Sequence, residues 1–254
     1  MMWFALALAA ALGGAVNALA GGGTLITFPS LLAFGITPVN ANATSTVALV
    51  PASFSAYWGF RGAVAGQRRE LVVMALPSVV GGFVGAWLAM RIGNERFGQI
   101  VPFLIYGATI LFLVQAPIKR WVDRRLGQGH AADGRRRVLQ VATQLVIALY
   151  GGFFGAAMGI LMLALLGVVS SGSMARMNGL KNFAAVCING VAALTFGLAG
   201  HVEWGLAGCM VVGSIAGGYV AARLSQRIDA RWVRGLVIVV GFGMGTYTLW
   251  KALA

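Results

Sequence analysis

Gly21-Gly22-Gly23-Thr24-Leu25-Ile26-Thr27-Phe28-Pro29 interrupts a stretch, 1–60, that holds no charged side chain. Sixty uncharged residues are too many for one membrane crossing of ~20 residues, so the stretch must break internally. Three successive glycines cannot keep a stiff helix interior, and they mark the break. The next apolar piece, 24–34, contains Pro29 and ends at the turn Gly35-Ile36-Thr37-Pro38. A helix of that length rises ~16 Å, about half of the ~30 Å hydrocarbon layer. The spacing therefore predicts a half-helix lodged within a membrane.

Composition agrees with a bilayer as the solvent. Of 254 residues, 59% are hydrophobic and 10% charged, against ~25% charged in a soluble domain. Mean hydropathy is +0.85. The net charge of +13 is spread between apolar runs rather than gathered on one face. It fits cytoplasmic loops and anionic headgroups, not nucleic acid. Cys187 and Cys209 fall inside apolar runs without disulfide or metal-ligand spacing. Asn17-Ala18-Leu19-Ala20 resembles the end of a signal peptide, but no basic residue precedes it, so 3–20 reads as a retained span.

After 1–60, the charge-free windows are 71–90, 97–118, 138–175, 182–202, 204–222 and 235–250. Window 138–175 repeats the form of the first: an apolar helix, Gly151, Gly152, Gly155 and Gly159, a short apolar piece, then Ser170-Ser171-Gly172-Ser173. Sliding the chain against itself by 136 positions aligns the halves without a gap. Gly23 meets Gly159, Asn42 meets Asn178, and Phe60 meets Phe196; Gly81-Gly82 meets Gly217-Gly218, and Arg91-Ile92 meets Arg227-Ile228. The expected architecture is an all-α polytopic membrane protein of two homologous halves, 1–117 and 138–254, joined by a basic cytoplasmic linker, 118–137. Each half has five segments: 3–20, 24–34, 41–60, 71–90 and 97–117, then 138–156, 160–169, 178–200, 204–222 and 235–252.

Loop charges give the relation between the halves. Loop 61–70 carries Arg61, Arg68, Arg69 and Glu70, whereas its counterpart 197–206 carries only Glu203. Loop 91–96 carries Arg91 and Arg96; its counterpart 223–234 carries Arg223, Arg227, Arg231 and Arg234. The basic bias changes loops between halves, which predicts an inverted repeat with broken or re-entrant helices.

Inverted repeats with broken helices hold small solutes near the midplane, where free backbone N–H groups are available. Asn40-Ala41-Asn42-Ala43-Thr44-Ser45-Thr46 and Arg176-Met177-Asn178-Gly179-Leu180-Lys181-Asn182 open equivalent segments beside the breaks. Both are read as helix N-termini, which favour an anion. Lys181 is followed by a long uncharged run, and an ionisable group inside a membrane points to function; snorkelling to the surface is its structural alternative. The candidate substrate-binding residues are Gly21, Gly22, Gly23, Asn42, Thr44, Ser45, Gly155, Gly159, Asn178, Lys181 and Asn182. Asn42 and Asn178 also fit plain N-caps, and Asn17 and Asn189 read as interhelical hydrogen-bonders. No nucleophile–base motif, metal cluster or intramembrane carboxylate is present in the sequence, so neither an enzyme nor a cofactor is expected.

The run Gly21 to Pro29 with Ala41-Asn42-Ala43-Thr44-Ser45-Thr46 resembles the signature of the TauE/SafE sulfite-exporter family. Tyr150-Gly151-Gly152-Phe153-Phe154-Gly155-Ala156-Ala157-Met158-Gly159-Ile160-Leu161-Met162 and Met177-Asn178-Gly179-Leu180-Lys181-Asn182 resemble it as well. The second half departs from that pattern, with Ala157-Met158-Gly159 in place of three glycines. The resemblance implies a bacterial inner-membrane permease for sulfite, sulfonates or related organic anions. The expected function is secondary transport of a small anion by alternating access. The expected partners are that anion and the lipid bilayer, with H+ or Na+ as a coupling ion and a homo-oligomer both compatible. An anion channel, or a permease for another small solute such as an amino acid, is the alternative.

Overall fold

The computed structural model describes residues 1–114, 117–118, 120–121, 124, 133–169, 173–224 and 230–253. Among them the chain is all-helical: α1 (Met2–Ala20), α2 (Thr24–Ala33), α3 (Pro38–Phe60), a 3-10 turn (Arg61–Val64), α4 (Arg68–Leu113), α5 (Asp133–Phe153), α6 (Met158–Val169), α7 (Met174–Leu198), α8 (Trp204–Leu224) and α9 (Ala230–Leu253). Three of these helices are long and apolar enough to cross a membrane: Arg68–Leu111, Ala175–Leu198 and Trp204–Ala221.

Polarity is arranged for lipid. Val72, Leu76, Val79, Phe83 and Trp87 form one exposed stripe along α4, at the three- and four-residue spacing of a single helix face. Thr27, Asn42, Thr44, Ser45, Ser78 and Gln144 are fully buried. Apolar side chains outside and polar ones inside suit hydrocarbon rather than water. Trp58 and Trp87 carry Arg61 and Arg91 on their ring faces at 4.4 and 5.1 Å, near helix ends, where aromatic and basic residues mark the membrane–water boundary.

The first break lies where the glycine run places it. Gly21 is left-handed (φ 75°), and its N–H bonds the carbonyls of Asn17 and Val16 at 3.0 and 3.1 Å, closing α1. The chain then reverses. A Cβ on Gly13 would lie 2.6 Å from Thr27 Cγ2, and one on Gly23 would meet the Gly13 carbonyl. Thus α2 runs back along α1 as a re-entrant half-helix of 10 residues. The second break, 154–157, is built around Tyr150. Its carbonyl accepts the N–H of Phe154 at 2.9 Å and of Gly155 at 3.2 Å, while its hydroxyl donates to the Ala156 carbonyl at 2.6 Å. α6 follows with 12 residues.

Helix pairs close the body: α1 lies along α8, the first arm of α4 along α5, and α3 against α7. Glycine makes the first two contacts close. A Cβ on Gly217 would meet the carbonyl oxygen of Ala11, one on Gly213 that of Ala7, and one on Gly85 that of Leu149. The contacts advance along both chains together, so both pairs are parallel. α3 and α7 are antiparallel, with Phe60 beside Gly179 at one end and Asn40 beside His201 at the other.

Several boundaries differ from the sequence reading. The expected connection 91–96 is reduced to a kink: α4 consists of two helical arms that meet at Gly93 (φ 79°, ψ 167°), because one glycine outside the L-residue region redirects the chain without a longer loop. α3 begins at Pro38 behind the N-cap Thr37, and α7 at Met174 behind Ser173. Asn42 and Asn178 are therefore not N-caps but lie inside the helices. α5 begins at Asp133, inside the expected linker 118–137; most of that linker, His130 included, and Ser170-Ser171-Gly172 lie outside the described residues.

These contacts give a stability test. Gly217→Val forces a side chain into the Ala11 carbonyl, and overpacking of this kind costs about 1–3 kcal/mol. The detergent-purified variant is expected to melt several degrees below the parent. Gly208→Ala, where a Cβ meets nothing within 4 Å, should melt within about a degree of it or slightly above. Equal melting of all three proteins would refute the α1–α8 packing.

Candidate functional site

The two breaks face each other. A Cβ on Gly21 would lie 3.8 Å from Gly159 Cα, and one on Gly159 would lie 3.7 Å from Gly21 Cα. Between them is a cavity of about 30 Å³ lined by residues that include Asn17, Gly21, Thr24, Gly155, Gly159 and Lys181. Thr24 and Met158, the first residues of α2 and α6, both reach it. Two helix N-termini thus converge on one small space and turn the positive ends of their dipoles toward it.

Lys181 enters from α7. Its Nζ would be 3.9 Å from a Cβ on Gly21, and its Cδ 3.5 Å from one on Gly159, so the side chain lies across the seam between the breaks. It is 9% exposed. Among the described residues no carboxylate pairs with it; the one ion pair there joins Arg176 and Glu70 at 2.6 Å. Ala185 and Asn189 follow Lys181 at four-residue steps and line the same cavity, so one face of α7 forms a wall. Asn182 borders it as well. From α3, Leu49 and Ser53 complete the enclosure.

Five of the residues singled out in the sequence meet here: Gly21, Gly155, Gly159, Lys181 and Asn182. The others do not line the cavity. Gly22 and Gly23 supply the carbonyls that start α2, accepting Leu25 and Ile26 N–H groups at 3.1 and 3.0 Å. Asn42 donates to the Phe153 carbonyl at 3.0 Å, satisfying the last residue of α5 where the helix stops. Thr44 Oγ1 accepts the Glu203 N–H at 3.1 Å. Ser45 shares a hydrogen bond with Thr27 at 2.6 Å. Asn178 sits half-buried at the start of α7. Conversely, the cavity uses Asn17, Thr24, Ser53 and Asn189, which the sequence reading left out of the site. One signal for two of them was available: Ser53 and Asn189 are equivalent under the 136-residue shift.

Two larger cavities, about 350 and 560 Å³, lie elsewhere. Their walls are mainly apolar, as between Val47, Pro51, Leu194 and Trp204, and neither holds a basic side chain. Of the three, the small cavity is the one with a basic side chain; the 350 Å³ cavity carries Glu95 instead. Among the described residues no three His, Cys, Asp or Glu side chains come together as a metal site.

The model of one family, the sulfite exporter TauE/SafE, matches residues 6–248. Among curated proteins, the chain is similar to the probable membrane transporter protein YfcA of Escherichia coli strain K12, 27% identical over 249 residues covering 96% of this chain and 88% of that one. A probable membrane transporter protein of Haemophilus influenzae is 27% identical over 240 residues, covering 90% and 87%. Another, from Sinorhizobium, is 27% identical over 248 residues, covering 93% and 88%. No solved structure matches. Helices with lipid-facing apolar stripes, interrupted around a polar cavity, are thus found in a chain matched almost end to end by that model: the protein is a multi-pass membrane transporter belonging to the TauE/SafE sulfite-exporter family.

Proposed function

We propose that the protein carries a small anion, a sulfur oxyanion or organosulfonate, across the bacterial inner membrane by alternating access. The observation that carries this reading is Lys181: a buried ammonium without a carboxylate partner among the described residues, set between two helix N-termini. An uncompensated buried charge is unfavourable by several kcal/mol, and an anion between Lys181 and the N-terminal ends of α2 and α6 would offset it. The carboxamides of Asn17, Asn182 and Asn189 and the hydroxyl of Thr24 would orient it. The family to which the chain belongs, the sulfite exporters, supports the sulfur chemistry.

Three observations support an inverted repeat as the moving frame. First, two pairs separated by 136 residues touch: Ser53 with Asn189 at 3.3 Å, and the rings of Tyr106 and Phe242 at 5.9 Å. Residues equivalent under a two-fold meet each other only on its axis. Second, the equivalent helices α3 and α7 run antiparallel, as inversion requires. Third, one polar tie occurs at both ends of that pair. Arg176 donates to Gln67 at 3.0 Å and Glu70 at 2.6 Å; at the opposite end Asn40, equivalent to Arg176, donates to Glu203, equivalent to Gln67, at 3.1 Å. We assign these ties as the two latches of the cycle. The Arg176–Glu70 latch lies on the cytoplasmic side, beside Arg61, Arg68 and Arg69.

Transport is tested in proteoliposomes. Lys181→Ala is expected to lower sulfite flux at least tenfold with normal membrane insertion; undiminished flux removes Lys181 from the site. Removal of the charge should also relax the ligand-free protein. Lys181→Met, close in volume but neutral, is expected to raise the melting temperature by a few degrees; a lower one would mean that the ammonium is already satisfied.

The latches are tested by sidedness. With Cys187 and Cys209 replaced by serine, Ala185→Cys places a thiol on the cavity wall. Adding Glu70→Gln is expected to increase its labelling by an impermeant thiol reagent from the cytoplasmic side, and adding Asn40→Ala from the opposite side. Unchanged labelling from both sides would overturn the latch assignment.

A further inference from the structure

Resting on the anion reading above, we infer that Asn189 makes the site select monoanions bearing a hydrogen-bond donor, such as a protonated oxyanion or an N–H-bearing sulfonate, over donor-less anions of the same shape. The inference starts from a hydroxyl whose proton is already committed. Ser53 Oγ donates to the Leu49 carbonyl within its own helix at 3.2 Å. It can then only accept from Asn189, whose Nδ2 lies 3.3 Å away. That contact fixes which end of the carboxamide faces Ser53 and leaves Oδ1 pointing the other way. Oδ1 is 4.0 Å from a Cβ position on Gly155, at the second break, and Asn189 lines the cavity. A carboxamide oxygen is an acceptor only.

The cavity therefore presents opposed requirements. Lys181 and the N–H groups at the starts of α2 and α6 donate and want negative oxygen. Asn189 accepts and is repelled by negative oxygen. Asn17 and Asn182 have no fixed side-chain partner in the hydrogen bonds described, so either end of each amide can turn to a ligand. Only Asn189 is locked. A ligand satisfies both demands when it carries one negative charge and one O–H or N–H. A fully deprotonated dianion places lone pairs against Oδ1 and brings two charges to one ammonium. Burying an acceptor against a methyl leaves it unpaired, which discriminates by tenfold or more.

Sulfamate and methanesulfonate make the test. Both are tetrahedral monoanions of nearly equal size at neutral pH, and they differ in an NH2 against a CH3. Titration of the purified full-length protein is expected to give a Kd for sulfamate at least about tenfold below that for methanesulfonate, with sulfate weaker than sulfamate. Asn189→Ala should bring the two monoanions within about twofold by weakening sulfamate alone. Ser53→Ala, which frees the carboxamide to turn its NH2 toward a ligand oxygen, should narrow the ratio by tightening methanesulfonate binding. Equal affinities in the parent protein, with methanesulfonate binding lost in Lys181→Gln, would overturn the role of Asn189 and keep the anion site. Binding of neither anion, or binding indifferent to Lys181→Gln, would overturn the anion site itself.

Discussion

Hydrocarbon offers no partner to a bare peptide group, and the rest of the molecule depends on that constraint. A helix stopped at mid-depth leaves N–H and C=O groups that must be satisfied within the protein. Here the stopped ends are closed from three sides. Gly21 caps α1 with its own N–H. The Tyr150 carbonyl and hydroxyl tie down 154–156. Asn42, reaching from the other half of the chain, takes the Phe153 carbonyl. These bonds dispose mainly of the ends of α1 and α5. The N-termini of α2 and α6 remain turned toward one cavity, and so does Lys181. On this reading, a site for negative charge is the remainder left after the fold has satisfied every other break.

Much of this was legible in the sequence because charge and glycine are strong signals in a membrane chain. The windows free of charge placed the helices, the glycine run placed the first break, and the glycines of window 138–175 placed the second. The identity of the cavity wall was less legible. Asn42, Thr44 and Ser45 seemed to open α3, but Thr37 and Pro38 start the helix earlier. That shift carries the three side chains into interior contacts with Phe153, Glu203 and Thr27. On α7 an earlier start moves Lys181 two turns into the helix, where it faces the seam. Asn189 and Ser53, deep in apolar runs, gave no local sign of lining a site. Pairing across an axis is a property of two helices together, and a single periodicity does not contain it.

The halves are similar in path but unequal in charge. Position 45 is a serine bonded to Thr27, whereas the equivalent position 181 is a lysine. On the proposed inverted repeat, a cavity crossed by a two-fold through Ser53 and Asn189 would be one site shared between halves. One ammonium in one half then fits one negative charge per occupied cavity, whereas a second lysine at 45 would suit a dianion. The latches differ likewise. Arg176–Glu70 is a charge-assisted pair, and bonds of that kind are worth about 1.5–3 kcal/mol; Asn40–Glu203 has one neutral partner and a smaller expected worth.

That inequality bears on direction. If both latches opened with the same ease, the empty carrier would spend equal time facing each side, and a ligand binding both faces equally would shift nothing. In the proposed cycle a stronger latch on the face beside Arg61, Arg68 and Arg69 would tilt the empty protein toward opening at the Asn40–Glu203 end. His201 adds to that end through its Nδ1 contact with Asn40 at 3.0 Å, but a single neutral contact does not replace a guanidinium–carboxylate pair. In the proposed cycle a cytoplasmic anion would then supply, by binding at Lys181, the free energy that opens the Arg176–Glu70 face. The coupling runs along α7, which carries Arg176 at its first turn and Lys181 five residues on. In the proposed cycle, neutralising Lys181 with an anion and releasing Arg176 from Glu70 would therefore be events on one helix.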